Sequence, residues 1–270
     1  MDGLYNSVCI TSVAPTVLKA AGISHAEMEK ENSALLALKE KKIGGASIDR
    51  VFIYNPDAVA LWLYGKYTDY FTQAMLCSDI AVPMLSVMPS VTPVCFASMY
   101  TGVMPAVHGI RKYTKPVLTQ NTIFDEYIKA GKKCAVVSTE GDSISMIFLE
   151  RNMDYFIYET EEEVNKKAFE LIEKDEYDLI VVYNGDYDGN MHKVSPEGEK
   201  ALEALKRNIK TYSELVSSIN KNWKNHNVLY GFCPDHGCHE IDGGCGAHGL
   251  DMEDDMNIIH FYGVKAKEVL

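Results

Sequence analysis

The chain alternates short runs of β-branched and aromatic residues with longer stretches whose apolar positions recur at spacings of three and four. Such alternation predicts βα units on a mostly parallel sheet. Strands are expected at Val51–Asn55, Pro83–Met88, Lys133–Ser138, Tyr155–Glu159, Leu179–Asn184, Val228–Cys233 and Asn257–Tyr262. Helices are expected at Ala26–Lys41, Ala58–Ser78, Pro93–Tyr100, Ile123–Ala130, Glu161–Lys174 and Pro196–Lys221. The last carries Leu202, Leu205, Ile209, Tyr212, Leu215 and Ile219 as one buried stripe. No internal repeat, low-complexity tract or Pro/Gly-rich linker interrupts the pattern. Residues 1–270 are therefore expected to form one α/β domain, a doubly wound, mostly parallel sheet flanked by helices. Residues 1–45 are expected to be a helical segment packed on that core.

Four of the predicted strands run directly into polar residues. Val51–Asn55 leads to Asp57, and Pro83–Met88 to Ser90 and Thr92. Leu179–Asn184 leads to Asp186 and Asp188, and Val228–Cys233 to Asp235 and His236. In an open parallel sheet the carboxyl ends of the strands share one edge, where ligands bind. Segments distant in sequence would thus deliver acids and imidazoles to one place.

Charge narrows the chemistry. The 38 acidic residues outnumber the 26 basic ones, giving a net charge of −12. A phosphate-backbone binder needs a basic face, so a nucleic-acid polymer is not an expected partner. A small phosphate-bearing substrate is compatible, because a bound metal reverses the local field. No apolar run approaches the ~20 residues of a membrane span, and no membrane partner is expected. The opening Met1-Asp2-Gly3-Leu4-Tyr5 has no basic n-region, so no secretory signal is expected. The seven cysteines are scattered and odd in number, and read as free thiols in a reducing cytoplasm.

Three segments carry candidate chemistry. In Thr92-Pro93-Val94-Cys95-Phe96-Ala97-Ser98-Met99-Tyr100-Thr101-Gly102, Thr92 reads as an N-cap, Pro93 as a first helical residue and Gly102 as a stop. A phosphoryl group there would meet a positive helix end, and a hydroxyl beside a divalent cation can ionise and attack. A plain capping threonine is the bland alternative. Asp188 and His192 stand four apart, so one helical turn would bring both to one metal. Many helices carry such a pair idly. Finally, Pro234-Asp235-His236-Gly237-Cys238-His239-Glu240 is followed by Gly246-Ala247-His248-Gly249, a carboxylate and imidazoles gathered by a glycine-rich loop. Those ligand types fit Zn²⁺ best, with Mn²⁺ and Fe²⁺ open. Gly237, Gly243, Gly244, Gly246 and Gly249 would permit the unusual backbone of such a loop. The spacings of Cys233, Cys238 and Cys245 do not make the short pairs of a zinc knuckle. Cys95, one turn into the Thr92 helix, is a minor alternative nucleophile, its thiolate stabilised there.

Taken in order, Val51-Phe52-Ile53-Tyr54-Asn55-Pro56-Asp57, Met88-Pro89-Ser90-Val91-Thr92-Pro93 through Gly102, Pro105-Ala106-Val107-His108-Gly109-Ile110, Asp188 through His192, Pro234-Asp235-His236-Gly237 and Gly246-Ala247-His248-Gly249 form a series. The series resembles the alkaline phosphatase superfamily, in particular the type I phosphodiesterase/nucleotide pyrophosphatase group. Each motif is weak alone; their order is specific, and it spans most of the chain.

The resemblance implies an alkaline phosphatase-like core and hydrolysis of phosphoric esters of the phosphodiester or nucleotide pyrophosphate type. It implies two divalent metals: one held by Asp188, His192 and His248, the other by Asp57, Asp235 and His236 and touching a nucleophilic Thr92. Relatives usually place an Asn after the His-Gly-Ile stretch; here Arg111-Lys112-Tyr113-Thr114-Lys115 follows. A cation at Arg111 or Lys112 would read a more highly charged phosphate, as on a monoester or phosphonate; a solvated basic turn is the alternative. Phosphomonoesterase, phosphonate hydrolase and phosphomutase are thus kept as alternatives, with a non-catalytic metal-binding protein below them. Trp62, Tyr64, Tyr67, Tyr70 and Phe71 are either an aromatic wall near Asp57 or, as such stripes usually are, core.

Overall fold

The computed structural model describes residues 4–25 and 28–268. Its centre is a seven-stranded sheet made of β1 (Arg50–Pro56), β2 (Ile80–Leu85), β3 (Cys134–Thr139), β4 (Asp154–Tyr158), β5 (Leu179–Asn184), β6 (Val228–Phe232) and β9 (Asn257–Lys265). Strands β7 (His239–Ile241) and β8 (Cys245–Ala247) form a separate hairpin. The order is β2-β9-β6-β1-β5-β3-β4. Pairing is parallel from β6 across to β4, whereas β9 is antiparallel to both β6 and β2. β2 therefore points the same way as β6, and β9 alone runs in reverse. The carboxyl ends of β1, β2, β5 and β6 lie on one edge, as the strand-end reading requires.

All seven expected strands form. The β2 expectation is displaced: Pro83–Met88 becomes Ile80–Leu85, and Pro83 is tolerated because β2 is an outer strand. The residues of β1 and β5 face alternately into two cores. Val51, Ile53, Leu179 and Val181 join one; Phe52, Tyr54, Ile180 and Val182 join the other. Strands buried on both faces read as continuous apolar runs, which is why they were visible in sequence.

The first core is covered by Val13–Ala20, Ser33–Ile43 and Thr92–Thr101. Every residue of Thr92–Thr101 is buried. The segment that includes Ser12–Leu18 packs beside this helix, and Gly102, its left-handed stop at φ 67°, sits so close to Pro15 and Met28 that a Cβ there would lie 3.0 and 3.1 Å from them. The predicted helix Ala26–Lys41 is Ser33–Ile43, entered at Asn32, whose side chain accepts from Ala34 and Leu35 N–H; Ala26 and Glu27 lie outside the described residues.

The second core is covered by Glu161–Lys174 and Glu199–Asn222, the latter burying Leu205, Ile209, Tyr212, Leu215 and Ile219. The predicted helix Ala58–Ser78 is instead three short pieces, Leu61–Lys66, Thr68–Phe71 and Thr72–Cys77. Its aromatic stripe is structural: Tyr64 meets Phe71 and Phe261 edge-on, and Trp62 donates to the Cys238 carbonyl at 2.8 Å. Among the described residues, no helix is long and apolar enough to cross a membrane.

Candidate metal centre

Each strand end contributes one part of a cluster at the shared edge. Beyond β1, Asp57 N–H donates to the Asn184 carbonyl, extending the pairing with β5. Beyond β5, Asp186–Val194 is helical and sets Asp188 and His192 one turn apart. Asp186 itself turns away, accepting two bonds from Arg207. Beyond β6, the chain delivers Asp235 and His236, both fully buried. The β7–β8 hairpin then brings His248 back over the edge. Gly246 makes that approach possible, because a Cβ there would lie 2.2 Å from Met191 Sδ. Gly237 is needed for the same reason, its Cβ falling 2.0 Å from the Asp254 carbonyl oxygen. Only Gly243, Gly244 and Gly249 use the positive φ expected of the whole set.

Two trios result. Asp188 Oδ1 lies 3.2 Å from His192 Nε2 and 3.4 Å from His248 Nε2. His236 Nε2 lies 3.3 Å from both Asp57 Oδ1 and Asp235 Oδ2. Within each trio the ligand-type atoms fall within 4.8 Å of one another. The rings of His236 and His248 stack at 4.0 Å, so the trios adjoin.

The residues fit two cations on three counts. Each imidazole uses Nδ1 on a backbone carbonyl: His236 on Gly237 at 2.9 Å, His192 on Gly246 at 2.9 Å, His248 on Ser90 at 3.0 Å. A carbonyl only accepts, so Nδ1 carries a proton and each ring turns Nε2 inward, the atom that a cation would take in place of a second proton. Asp57 Oδ1 and Asp235 Oδ2 are buried and have no hydrogen-bond donor. Buried lone pairs facing one another are costly unless positive charge stands between them. The ionisation pattern agrees. Burial, aided by the Asp188 charge, pushes Asp57 up to about 7, and burial next to Asp57 raises Asp235 well above the usual carboxylate range. Burial also acts on Asp188, but hydrogen bonds from His192 and His248 outweigh it and hold this carboxyl low. The Asp188 hydrogen bond in turn raises His192 to about 9.

Thr92 is the first residue of its helix rather than the cap; Val91 occupies that place with extended backbone. Its hydroxyl makes no capping bond. Instead Oγ1 lies 3.3 Å from Asp57 Oδ2, to which it donates, and 3.3 Å from His236 Nε2. Asp57 Oδ2 also accepts from Tyr183 at 2.6 Å, a residue the sequence reading passed over as an ordinary strand position.

Other expected site residues lie apart. Arg111 is exposed and donates to the Ala106 carbonyl at 3.0 Å, and Lys112 is exposed beside it. Neither makes a hydrogen bond or ion pair with the two trios. Cys95 does not gain the thiolate expected of it. It is fully buried, 3.1 Å from Ser86 Oγ, and burial together with the Asp235 charge raises its thiol well above the ordinary value. Cys233 and Cys238 are buried free thiols, and no cysteine joins a metal-type cluster among the described residues.

The sequence pattern of the type I phosphodiesterase/nucleotide pyrophosphatase family matches residues 60–260. A search of curated proteins gives no match. Solved structures give several. Human ectonucleotide pyrophosphatase/phosphodiesterase 5 is 14% identical with a TM-score of 0.63, over 79% of this chain and 87% of that one. The murine counterpart is 18% identical with a TM-score of 0.56, over 72% of this chain and 58% of its own. Phosphonoacetate hydrolase from Sinorhizobium meliloti, in complex with phosphonoacetate, is 18% identical with a TM-score of 0.52, over 73% and 58%. With the family pattern spanning most of the chain and the fold shared with these structures, the protein belongs to the type I phosphodiesterase/nucleotide pyrophosphatase family of the alkaline phosphatase superfamily, hydrolases of phosphoric esters.

Proposed function

We propose that the protein is a two-metal hydrolase of small phosphodiesters with Thr92 as its nucleophile. The observation that carries this reading is the Thr92 hydroxyl, buried, released from capping, and held 3.3 Å from Asp57 Oδ2 and from His236 Nε2. Asp57, Asp235 and His236 would hold one cation, and Asp188, His192 and His248 the other. Three imidazoles with three carboxylates suit zinc, with manganese or iron as substitutes. When bound, such a pair supplies positive charge to the phosphate oxygens and lowers the pKa of a hydroxyl.

The chain's own residues do the rest. Thr92 Oγ1 attacks phosphorus in line with the leaving oxygen, and its proton lies toward Asp57 Oδ2. The phosphorus–oxygen bond to the leaving group breaks, the leaving group departs as its alcohol with a proton equivalent to the one Thr92 gave up, and the remaining half of the diester stays esterified to Thr92. Water then attacks that ester and restores the hydroxyl. The helix start at Thr92 adds its positive end toward the anionic substrate.

Charge favours a diester over a monoester. Two dications against three carboxylates leave one positive charge, which a diester monoanion neutralises. A monoester dianion needs a further cation, and Arg111 is turned to the Ala106 carbonyl. The neighbours are compatible with small phosphate-type ligands: an inactive variant of the murine protein is described in complex with AMP, and the bacterial one with phosphonoacetate.

The test uses metal-reconstituted protein with bis-p-nitrophenyl phosphate and p-nitrophenyl phosphate. The diester is expected to turn over faster. Thr92→Ala is expected to lower diester kcat by about 10³-fold or more, and Thr92→Ser to retain part of it. Undiminished turnover by Thr92→Ala removes the nucleophile assignment. Faster monoester turnover moves the protein to the phosphomonoesterases and makes Arg111 or Lys112 a reader of substrate charge.

A further inference from the structure

The segment that carries Asp235 and His236 leaves the sheet before it reaches them. The β6–β9 pairing ends at Phe232 opposite Phe261, and Pro234, lacking an N–H, cannot extend it. Three consecutive carbonyls are then without strand partners. Each is taken by a buried side chain from a different element. Asn55 Nδ2, at the end of β1, donates to Cys233 at 2.6 Å. His260 Nε2, on β9, donates to Pro234 at 2.7 Å. Ser86 Oγ, just past β2, donates to Asp235 at 2.7 Å. The three donors are 0%, 0% and 2% exposed.

His260 differs from the other two. It is a full-length imidazole buried with no role in either metal trio, and its donor capacity depends on its tautomer. Tyr262, two residues along the same strand face, lies 2.8 Å from His260 Nδ1. Because Pro234 offers only an acceptor, Nε2 must carry the proton; Nδ1 is then the acceptor for the Tyr262 hydroxyl. Burial keeps the ring neutral, lowering it to about 4. Tyr262 thus fixes the tautomer, and His260 fixes the carbonyl immediately before the ligand pair.

We propose that His260 is a positioning residue for the Asp57/Asp235/His236 cation site, acting through the Pro234 carbonyl and held in its donor tautomer by Tyr262. The inference rests on the two-metal reading above. It concerns one of the two sites, because His260 makes no hydrogen bond to the segments that carry Asp188, His192 or His248. Groups that orient metal ligands from behind typically change metal affinity by about 10–100-fold.

The experiment is a competitive titration of Zn²⁺ against a chromophoric chelator, resolving two binding constants in the full-length protein. Wild type is expected to bind two ions. His260→Leu is expected to weaken one site by about 10–100-fold and leave the other within about threefold. His260→Gln, which carries an amide N–H at the Nε2 position, is expected to restore the weakened site to within about threefold of wild type. Tyr262→Phe is expected to weaken the same site less than His260→Leu, and decides the matter if His260→Leu does not fold. Equal weakening of both sites marks general loosening and overturns the proposal, as does no change at either. A wild type that binds fewer than two ions overturns the two-metal reading itself, a result distinct from either.

Discussion

Tyr183 shows what a single hydroxyl can do at this edge. It lies on β5, directly across from Asn55 of β1, so its ring reaches Asp57 two residues further along. Its donation at 2.6 Å to Asp57 Oδ2 holds that carboxylate with Oδ1 turned toward His236. The ring also packs edge-on against Phe96 of the Thr92 helix, at 5.8 Å. Tyr183→Phe keeps this packing and removes only the donor. Stability is expected to change by about 1 kcal/mol, while kcat/KM for a diester falls about tenfold or more. Urea unfolding and steady-state kinetics on one preparation test both, and an unchanged kcat/KM would show that Asp57 needs no such brace. Of the six ligand-type residues, Asp57, Asp188, Asp235 and His236 were visible as polar residues after predicted strands, His192 by its spacing from Asp188 and His248 by its glycine-rich loop; the structure brings them together in two trios. Tyr183 was not visible, since an aromatic residue inside a buried strand has the same pattern whether its hydroxyl is idle or engaged. Arg111 shows the converse: its charge is visible in the sequence, but its donation to the Ala106 carbonyl is not.

Elements were legible where burial enforces a period. The central parallel strands β1, β3, β5 and β6 carry nearly continuous apolar runs because both faces are covered, and Glu199–Asn222 shows its stripe because one face is not. Ala58–Ser78 misled because its aromatic residues recur at helical spacing. The chain breaks at Tyr67 and after Phe71, and Tyr64 and Phe71 lay their rings on Phe261 of β9, so tertiary packing outweighs local periodicity. The β7–β8 hairpin, three residues a strand, is too short to show alternation. Its glycines separate two kinds of requirement. Gly237→Ala drives a methyl into the Asp254 carbonyl and Ala60, and is expected to cost about 2–4 kcal/mol and to disturb His236. Gly243→Ala faces open space and meets only its φ of 95°, for about 1 kcal/mol and unchanged activity. Equal losses of stability and activity in both variants would contradict this division.

At the scale of the molecule, the sheet gathers three carboxylates and three imidazoles where few compensating cations of the chain reach, and this makes stability and cation binding depend on each other. Asp57, at about 7 in the folded protein against an ordinary 3.8, keeps a proton that the unfolded chain releases. His192, at about 9 against 6.5, does the same at higher pH. Wherever the folded state holds more protons than the unfolded, stability falls as pH rises. Asp57 therefore lowers the stability of the cation-free protein from about pH 4 to 7, and the stabilisation from His192 fades from about pH 6.5 to 9. A divalent cation must displace these protons, so its binding releases them and tightens as pH rises. The two trends add. The rise in Tm on adding excess Mn²⁺ to chelator-treated protein is expected to grow from pH 6 to pH 8.5. Proton release during the same titration, measured by calorimetry in two buffers of different ionisation enthalpy, is expected to be net positive at pH 7.5. Asp57→Asn removes one of the displaced protons and should shrink both effects. A gain in Tm that is flat with pH, with no proton released, would mean that cations bind elsewhere on this acidic surface and that the strand-end cluster does not hold them.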